Sequence, residues 1–369
     1  MLMERKIFMK SAGRRGYSRL ARVLTAIVML LTVATTGAWA QETKYTVTMA
    51  EGTVDATNWT ISPTEAAEGK PITATYSGSR HVKSVTAVTK AAEPAATVVD
   101  LSKLTENTEL KDGDVVKGTL ASNVKISIAD GATVTLEGVS INGVNDTNYE
   151  WAGITCLGDA TIILSGTNTV KGFYQDYPGI QAAAGKTLII NGTGSLTASS
   201  YGWGAGIGGG SGSGAACGNI EIQGGTITAT SVEYGAGIGG GNNSSWGNIT
   251  ISGGTVTATG GWRGAGIGGG RRGISDVSCG NILISGGTII ATGGEDAAGI
   301  GGGRGYNVNY KSSCGTITIT SGVTSVTATK GEYADNSIGA GNVGTCGTVT
   351  IGGNTGAISE SPYTYQPSN

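Results

Sequence analysis

Charged residues, helical periodicity and metal-ligand clusters are all scarce in this chain of 369 residues. Lysine, arginine, aspartate and glutamate make up only 14% of it, and it has a single histidine, His81. The five cysteines include no Cys-x-x-Cys pair, which disfavours a zinc site. Beyond the first forty residues no long amphipathic helical pattern occurs. We therefore expect no cofactor, and calcium is the only metal weighed further.

Glycine, in contrast, is abundant, with 66 residues. This much glycine without a collagen period, beside many Thr, Ile and Val residues, is typical of strands joined by tight corners. One phrase, Gly-Ala-Gly-Ile-Gly-Gly-Gly, recurs at 204–210, 235–241 and 264–270, with a variant at 297–303. The central isoleucines of this phrase and its weaker copies follow at intervals of 26 to 38 residues, a period that indicates a solenoid. They are Ile154, Ile180, Ile207, Ile238, Ile267, Ile300 and Ile338.

Each complete repeat contains three short strand-like stretches. The Ile-Gly phrase is followed by Asn-Ile-x-Ile, and then by Gly-Gly-Thr-x-x-Ala-Thr. Three strands in a turn of ~30 residues predict an all-β fold, a parallel β-helix. Ile220 and Ile222 should then stack on Ile249 and Ile251 of the next turn, since parallel strands lie ~4.8 Å apart. A propeller is disfavoured because its blades need four strands in about 40 residues.

Residues 1–40 have the layout of a secretory signal peptide. Seven basic residues precede an apolar run at 23–33, and the small-x-small sequence Ala38-Trp39-Ala40 follows. The run is too short to span a bilayer comfortably, so we expect no transmembrane span. Removal of residues 1–40 leaves 17 basic and 25 acidic residues. The resulting net charge of −8 disfavours nucleic acid as a partner. We expect an exported protein, extracellular, on the cell surface or in the periplasm.

Residues 41–92 are expected to form a separate small β-module. Four stretches alternate apolar and polar residues as strands do, at 45–49, 59–61, 71–76 and 82–88. The stretch 74–87 resembles the short immunoglobulin-like or sandwich modules that precede repeat domains in exported bacterial proteins. The expected organisation continues with a linker at 93–96, the β-helix at 97–358 and a C-terminal tail at 359–369.

The repeated phrases resemble the Gly-rich right-handed parallel β-helix domains of exported proteins from anaerobic bacteria, some assigned to carbohydrate binding. The resemblance covers about 97–355 and implies an adhesin-like or carbohydrate-binding protein. Some related domains carry Asp within the Gly-x-Gly-Ile phrase, where it can help to hold calcium. Alanine stands there in this chain, which argues against calcium at Ala205, Ala236, Ala265 and Ala298.

An aromatic residue precedes nearly every central isoleucine by three to five positions. Because the same corner recurs on each turn, we expect these rings to line one edge of the rod, with acidic residues beside them. Trp and Tyr offer large rigid surfaces on which sugars stack, so this edge is the predicted glycan site, and a structural ladder of rings is the alternative. The predicted ligand-binding residues are Trp151, Tyr177, Trp203, Tyr234, Trp262, Tyr333, Glu150, Asp176, Glu233, Arg263, Glu295 and Asp296.

Three other functions stay open. Parallel β-helices include polysaccharide lyases and hydrolases, and hydrolysis needs two carboxylates facing one sugar bond. Glu295 and Asp296, with Glu233 and Arg263, come nearest to such a group, but the other loop acids are scattered and we expect no catalytic site. Threonine columns resemble ice-binding faces, although Ile290 interrupts them. A purely structural surface rod is the third.

The last four cysteines share the context Cys-Gly-Asn/Thr-Ile/Val, and Trp246 takes that place in the repeat that lacks one. We predict a column of buried residues at Cys217, Trp246, Cys279, Cys314 and Cys346. A disulfide between Cys279 and Cys314, on neighbouring turns, is the alternative that an oxidising compartment permits.

Overall fold

The computed structural model describes residues 97–212, 215–273 and 278–367, together with the backbone of seven strands within residues 1–96. The chain divides into two compact units, Met1–Pro94 and Ala95–Asn369. His81, the predicted cleavage site and the predicted linker lie outside the described residues. Within the described part, no helix has the length and apolar character needed to cross a membrane.

The first unit contains two antiparallel sheets. Strands lie at the positions expected for 45–49, 59–61 and 71–76, while the immunoglobulin-like arrangement and the signal peptide stay predictions. The four-stranded sheet consists of Lys6–Ile7, Met29–Val33, Lys44–Met49 and Glu65–Ala67, and the three-stranded sheet of Trp59–Ser62, Pro71–Tyr76 and Ser84–Val88.

The second unit is a parallel β-helix of about 8 turns, which confirms the predicted fold class. Each turn contributes one short strand to each of three parallel sheets. The sheet formed by the Ile-Gly phrase, here called the Ile-Gly sheet, has nine strands. They are Thr108–Leu110, Ile126–Ile128, Ile154–Cys156, Ile180–Gln181, Ile207–Gly208, Ile238–Gly239, Ile267–Gly268, Ile300–Gly301 and Ile338–Gly339.

The other two sheets begin together. Val115–Thr119 pairs with Val98–Asp100 on one side and with the middle of the long strand Ala132–Asn142 on the other, and that long strand pairs with the first separate strand of each sheet. The Asn-Ile sheet then continues through Ala160–Ser165, Thr187–Gly192, Asn219–Ile222, Ile249–Ile251, Ile282–Ile284, Ile317–Ile319 and Val349–Ile351. The Thr sheet continues through Thr167–Lys171, Ser195–Ser199, Thr226–Thr230, Thr255–Thr259, Thr288–Thr292 and Ser325–Thr329.

Equivalent residues of successive turns lie directly beside one another. Ile207 pairs with Ile238, and Ile238 pairs with Ile267, as the repeat spacing predicted. The predicted pairing of Ile220 with Ile249 is also confirmed. These side chains are almost completely buried, and alternate residues of each strand point to the core, so the isoleucine columns form one continuous apolar core.

The second residue of the Ile-Gly strands must be glycine from the Ile207 turn onward. Gly268 has φ +131°, a conformation that L side chains rarely adopt. A Cβ atom built on it would lie 2.1 Å from the carbonyl oxygen of Gly301 in the next turn. The glycine column therefore permits the close approach of neighbouring backbones.

A ladder of side-chain amides supports the start of the Asn-Ile sheet. The Oδ1 atom of Asn219 accepts from the backbone N–H of Asn248 at 2.8 Å, and Asn248 Oδ1 accepts from the N–H of Asn281 at 2.9 Å. Asn281 Oδ1 accepts from Thr316 N–H at 2.8 Å. Each amide thus satisfies a backbone donor that the short strands leave outside their own pairing.

Two antiparallel strands close the far end of the β-helix. Asn354–Thr355 folds back on Val349–Ile351. Tyr363–Tyr365, within the segment predicted as a tail, pairs with Ser325–Thr329 at the edge of the Thr sheet. The Oγ1 atoms of Thr327 and Thr364 lie 3.0 Å apart, within hydrogen-bond distance. The last parallel edge is therefore covered by the chain itself.

The cysteine prediction is partly wrong. Cys217, Cys314 and Trp246 are buried, as expected. The disulfide, however, joins Cys314 to Cys346, whereas Cys279 is a half-buried free thiol. The physical reason is that Ser312–Cys314 and Gly344–Cys346 form an additional pair of strands in which the two cysteines lie opposite each other.

Candidate functional site

The corner between the Thr sheet and the Ile-Gly sheet brings most of the predicted site residues to one edge. Buried serines hold the first corner loops, because Ser200 Oγ and Ser231 Oγ donate to the Gly204 carbonyl at 2.6 and 2.8 Å. On the next turn Gly260 takes this place, where a Cβ atom would lie 2.0 Å from the Gly264 carbonyl oxygen. These close contacts fix the backbone of the corner loops, and therefore the positions from which their side chains extend.

Two parallel columns of residues run along this corner. A triple-glycine stretch, or Gly-Ala-Gly in the last turn, is followed by a residue whose backbone N–H donates a hydrogen bond. The acceptor is a backbone carbonyl at the corner of the preceding turn, at 2.7 to 2.9 Å. The acceptors form what we call the corner column, which consists of Asp176, Trp203, Tyr234, Arg263 and Asp296. The donors form the flank column, which consists of Ser211, Asn242, Arg271, Arg304 and Asn342.

Three of the six predicted aromatic residues stack on successive turns. The ring centroids of Trp203 and Tyr234 are 6.0 Å apart, and those of Tyr234 and Trp262 are 6.2 Å apart, with interplanar angles of 29° in both cases. Tyr234 therefore has a ring neighbour on both sides. Sequence reasoning expected open ring faces, but in this stack the rings of adjacent turns occupy the faces of Tyr234.

The acidic residues beside the stack bind its indole groups. Trp203 Nε1 donates to Glu233 Oε2 at 2.7 Å, and Trp262 Nε1 donates to Glu295 Oε2. Each carboxylate comes from the turn that follows its tryptophan. These bonds orient the indole rings and leave a carboxylate at the edge of the stack.

Arginine side chains cover the same rings. The guanidinium carbon of Arg263 lies 4.1 Å from the Trp262 ring centroid and 5.5 Å from that of Tyr234. Arg271 lies 5.3 Å from Tyr234 and 5.7 Å from Tyr306. Cation–π contacts of this kind stabilise a guanidinium against a ring face. Burial, and then the positive charge of Arg263, lower the pKa of Arg271.

Asp296 is the buried carboxylate of this cluster. Its Oδ1 atom accepts from Asn342 Nδ2 at 2.8 Å. Its Oδ2 atom lies 3.7 Å from Arg263 Nε and 3.6 Å from Arg304 Nη1. Both oxygens of Asp296 therefore face cationic or amide groups of the chain. This arrangement suits a structural role, in which the buried carboxylate links the side chains of the corner.

Sequence reasoning named Arg263 but missed Arg271, Arg304 and Tyr306. The signal was present, because Arg271 and Arg304 each follow a Gly-Gly-Gly stretch, at the position where Ser211 follows the first one. That position was not recognised as a column, since its residue type changes from turn to turn.

The remaining predicted rings lie apart from the stack. Trp151 packs against Tyr149 and Phe173, with centroid distances of 5.3 and 5.7 Å. Its Nε1 atom is buried without a hydrogen-bond partner among the described residues. Among the ring contacts of the described residues, none involves Tyr177 or Tyr333. The single aromatic stripe predicted from Trp151 to Tyr333 is thus reduced to a central stack of three.

A second acidic group lies one turn before the stack. Burial, and then the charges of Glu150 and Asp176, raise the pKa of Tyr177. Burial also raises the pKa of Asp176, whose Oδ1 atom has no hydrogen-bond partner in the described part of the chain. At the opposite end, Tyr333 is exposed, and the charges of Glu332 and then Glu295 raise its pKa.

The described residues contain no group of three or more His, Cys, Asp or Glu side chains that could hold a metal ion. The four alanines of the Gly-Ala-Gly-Ile and Ala-Ala-Gly-Ile phrases are completely buried. An aspartate side chain at any of these positions would be buried inside the corner. The four alanine side chains supply no oxygen ligand for calcium at these positions.

The threonine columns lie on a different face. Thr226, Thr228 and Thr230 pair with Thr255, Thr257 and Thr259, as predicted. Ile290 interrupts the next turn, and its side chain is 45% exposed. The flat threonine surface is therefore limited to a few turns, and it is separate from the arginine and aromatic edge.

Comparison with known protein families supports the repeat architecture. Four segments match the family model described as Beta helix repeat, at 188–211, 220–242, 249–271 and 282–304. These matches, together with the observed sheets, support a parallel β-helix domain in this chain. Each matched segment begins within a strand of the Asn-Ile sheet and ends at a flank-column residue, Ser211, Asn242, Arg271 or Arg304. No curated protein and no solved structure matched the chain.

Proposed function

We propose that this protein is exported and binds a polysaccharide or a cell-surface glycan, without catalysis, through the corner edge of its β-helix. The observation that carries the proposal is the stack of Trp203, Tyr234 and Trp262, with carboxylates and guanidinium groups arranged along it. Aromatic rings beside hydrogen-bonding side chains suit a sugar, which has both apolar faces and hydroxyl groups.

The contacts would come from the rim of the stack rather than from open platforms. The neighbouring rings cover Tyr234, whereas Trp262 remains 46% exposed and Tyr306 remains 57% exposed. Glu233 and Glu295 present carboxylate oxygens beside the indoles, and these can accept hydrogen bonds from sugar hydroxyls. A glycan lying along the rod would then meet the same kinds of group on successive turns.

The alternative is a structural ladder, in which the rings only cover the corners. A ladder gains its free energy from burial, so its members should be largely enclosed. The large exposed fractions of Trp262 and Tyr306 favour a surface that has a partner.

The test is a glycan-array screen with the purified protein, with and without calcium, followed by titration of the glycans that bind. Replacement of both Trp203 and Trp262 by alanine should weaken binding by roughly 30-fold or more, as loss of a binding hot spot does. Thr257→Ala, on the Thr sheet, is the matched control and should bind with the same affinity as the wild-type protein. A double variant that melts earlier but binds normally would show that the rings are a structural ladder.

Absence of catalysis is tested with the same glycans. After prolonged incubation, the chain-length distribution, the number of reducing ends and the ultraviolet absorbance of unsaturated products should all stay unchanged. Shortened chains that disappear with the Asp296→Asn variant would instead support a lyase or hydrolase.

A further inference from the structure

The three arginines of the corner have far more hydrogen-bond donors than the chain uses. A guanidinium group carries five N–H donors. Among the described residues, the three side chains of Arg263, Arg271 and Arg304 make one hydrogen bond, from Arg271 Nη1 to Asn242 Oδ1 at 3.3 Å. The distances of 3.7 and 3.6 Å to Asp296 are ion-pair distances, too long for hydrogen bonds.

The salt bridges of these arginines are also few. Asp296 is the only carboxylate that forms salt bridges with these arginines in the described part of the chain, and Arg271 forms none there. The nearby carboxylates of Glu233 and Glu295 are bound to indole N–H groups instead. Arg263 and Arg304 therefore share one carboxylate, and Arg271 has no salt-bridge partner among the described residues.

Partial burial makes the unpartnered donors of these arginines unfavourable without a ligand. The side chains of Arg263 and Arg304 are only 19% and 29% exposed, and their Nε atoms are buried without hydrogen-bond partners in the described residues. A buried donor left without a partner destabilises the folded protein, and does so more when the group is charged. An external anion would relieve the repulsion among the three groups and occupy their outer N–H donors.

The aromatic rings around these arginines suit an anion that is carried by a sugar. Arg271 lies between Tyr234 and the exposed Tyr306, and Arg263 lies over the exposed Trp262. Ring contacts restrict the planar guanidinium groups, and a fixed planar fork suits the two oxygens of a carboxylate or sulfate group. A sugar that carries the anion would have aromatic side chains beside it.

We propose that Arg263, Arg271 and Arg304 form a subsite for an anionic substituent, a carboxylate or a sulfate ester, on the glycan bound at the corner edge. This inference rests on the proposed glycan-binding function and narrows its substrate class to acidic glycans. The acidic residues on either side accept hydrogen bonds from neutral hydroxyls, so the site suits a glycan with spaced charges.

The experiment compares three polymers that share a backbone as far as possible: a uronate polymer, a sulfated polymer and an uncharged polymer. Dissociation constants are measured by titration calorimetry at low and raised salt. The expected result is that at least one acidic polymer binds about tenfold or more tightly than the uncharged one, since a charge-assisted bidentate contact is lost in the latter. The two acidic polymers identify which anion the subsite prefers.

The variants are Arg271→Gln and Arg304→Gln, with Lys117→Gln as the matched control. Lys117 pairs with the exposed Glu137 in the first turns, so its replacement makes the same charge change away from the corner. Each corner variant should weaken binding of the acidic polymer by about tenfold and leave binding of the uncharged polymer unchanged. Arg271→Lys should recover only part of the loss, because an ammonium group lacks the planar fork.

A ligand-independent measurement separates the two proposals. Inorganic sulfate, compared with chloride at equal ionic strength, should raise the melting temperature of the unchanged protein and of Lys117→Gln, and should raise it less in Arg271→Gln. If uncharged and acidic polymers bind equally and the arginine variants bind as the unchanged protein does, the anion subsite is wrong and the glycan function stands. If no glycan binds, the proposed function fails, and an arginine-dependent sulfate effect still supports the subsite. If that effect is also absent, the subsite is wrong too.

Discussion

Replacing Gly268 by alanine is the sharpest test of the stacked backbone. The added Cβ atom would lie 2.1 Å from the Gly301 carbonyl oxygen, whereas a carbon and a carbonyl oxygen approach to roughly 3.3 Å at closest. The neighbouring turn would therefore have to move by roughly 1 Å. The backbone at φ +131° adds strain for any residue with a Cβ.

The magnitude follows from these two costs. Unfavourable φ costs about 1–3 kcal/mol, and overpacking costs typically about 1–3 kcal/mol more. We expect Gly268→Ala to destabilise the β-helix by about 2–6 kcal/mol, and to lower its melting temperature by roughly 10 °C.

The adjacent residue supplies the control. A Cβ atom on Gly269 would meet its nearest neighbours, Gly303 N and Trp246 Nε1, at 3.4 and 3.5 Å, which are ordinary contacts. Gly269→Ala should therefore change stability by less than about 1 kcal/mol. Thermal unfolding followed by far-ultraviolet circular dichroism measures both variants. Equal melting temperatures for the two would refute the close approach of successive turns at Gly268.

Three further predictions concern the ladder of asparagines, the disulfide and the half-buried Asp176. Asn248→Ala should lower stability by about 1 kcal/mol in urea unfolding, because Asn281 loses its acceptor, whereas Asn248→Asp keeps an acceptor and should cost less. Cys314→Ser should destabilise the oxidised protein by about 2–4 kcal/mol and Cys279→Ser should not, and equal effects of the two in the same unfolding assay would contradict the observed pairing. Asp176 has a raised pKa in the folded state, so its ionisation opposes folding, and the stability that its protonated form contributes is lost as the pH rises through that pKa. Asp176→Asn should therefore raise the melting temperature at neutral pH and have little effect below the pKa of an ordinary aspartate, and a lower melting temperature at neutral pH would count against this reading.

The thiols give an independent check of the core. Burial raises the pKa of Cys156 and Cys217 to about 12, so neither forms much thiolate at pH 8. Iodoacetamide should label Cys279 in the folded protein, and all three free thiols only after unfolding. Mass spectrometry of the labelled peptides reads this out, and rapid native labelling of Cys217 would contradict its burial.

The register of the β-helix could be predicted from sequence because the repeats differ little in length. Ile207, Ile238 and Ile267 are 31 and 29 residues apart, and each carries the same flanking glycines. Aligning the phrases therefore also aligned the isoleucines, and the pairing of Ile220 with Ile249 followed from it.

The candidate site was harder to predict than the register, because it depends on how the loop residues of neighbouring turns align at the corner. The aromatic pattern groups Trp262 with Tyr234, yet Arg263 is the residue that lies four positions before its central isoleucine, as Tyr234 does, and the backbone places Arg263 in register with Tyr234. The flank column escaped notice since serine, asparagine and arginine share no common chemistry. The disulfide partner of Cys314 depends on the additional strand pair at Ser312–Cys314, which no repeat phrase signals.

The most direct test of the account is hydrogen–deuterium exchange of the protein with and without a bound glycan. Binding at the corner edge should slow exchange in the loops 200–206, 231–237 and 260–266, and around Arg271 and Arg304, while the Thr sheet keeps its exchange rate. Slowed exchange confined to the Thr sheet or to residues 1–94 would contradict the assignment of function to this edge.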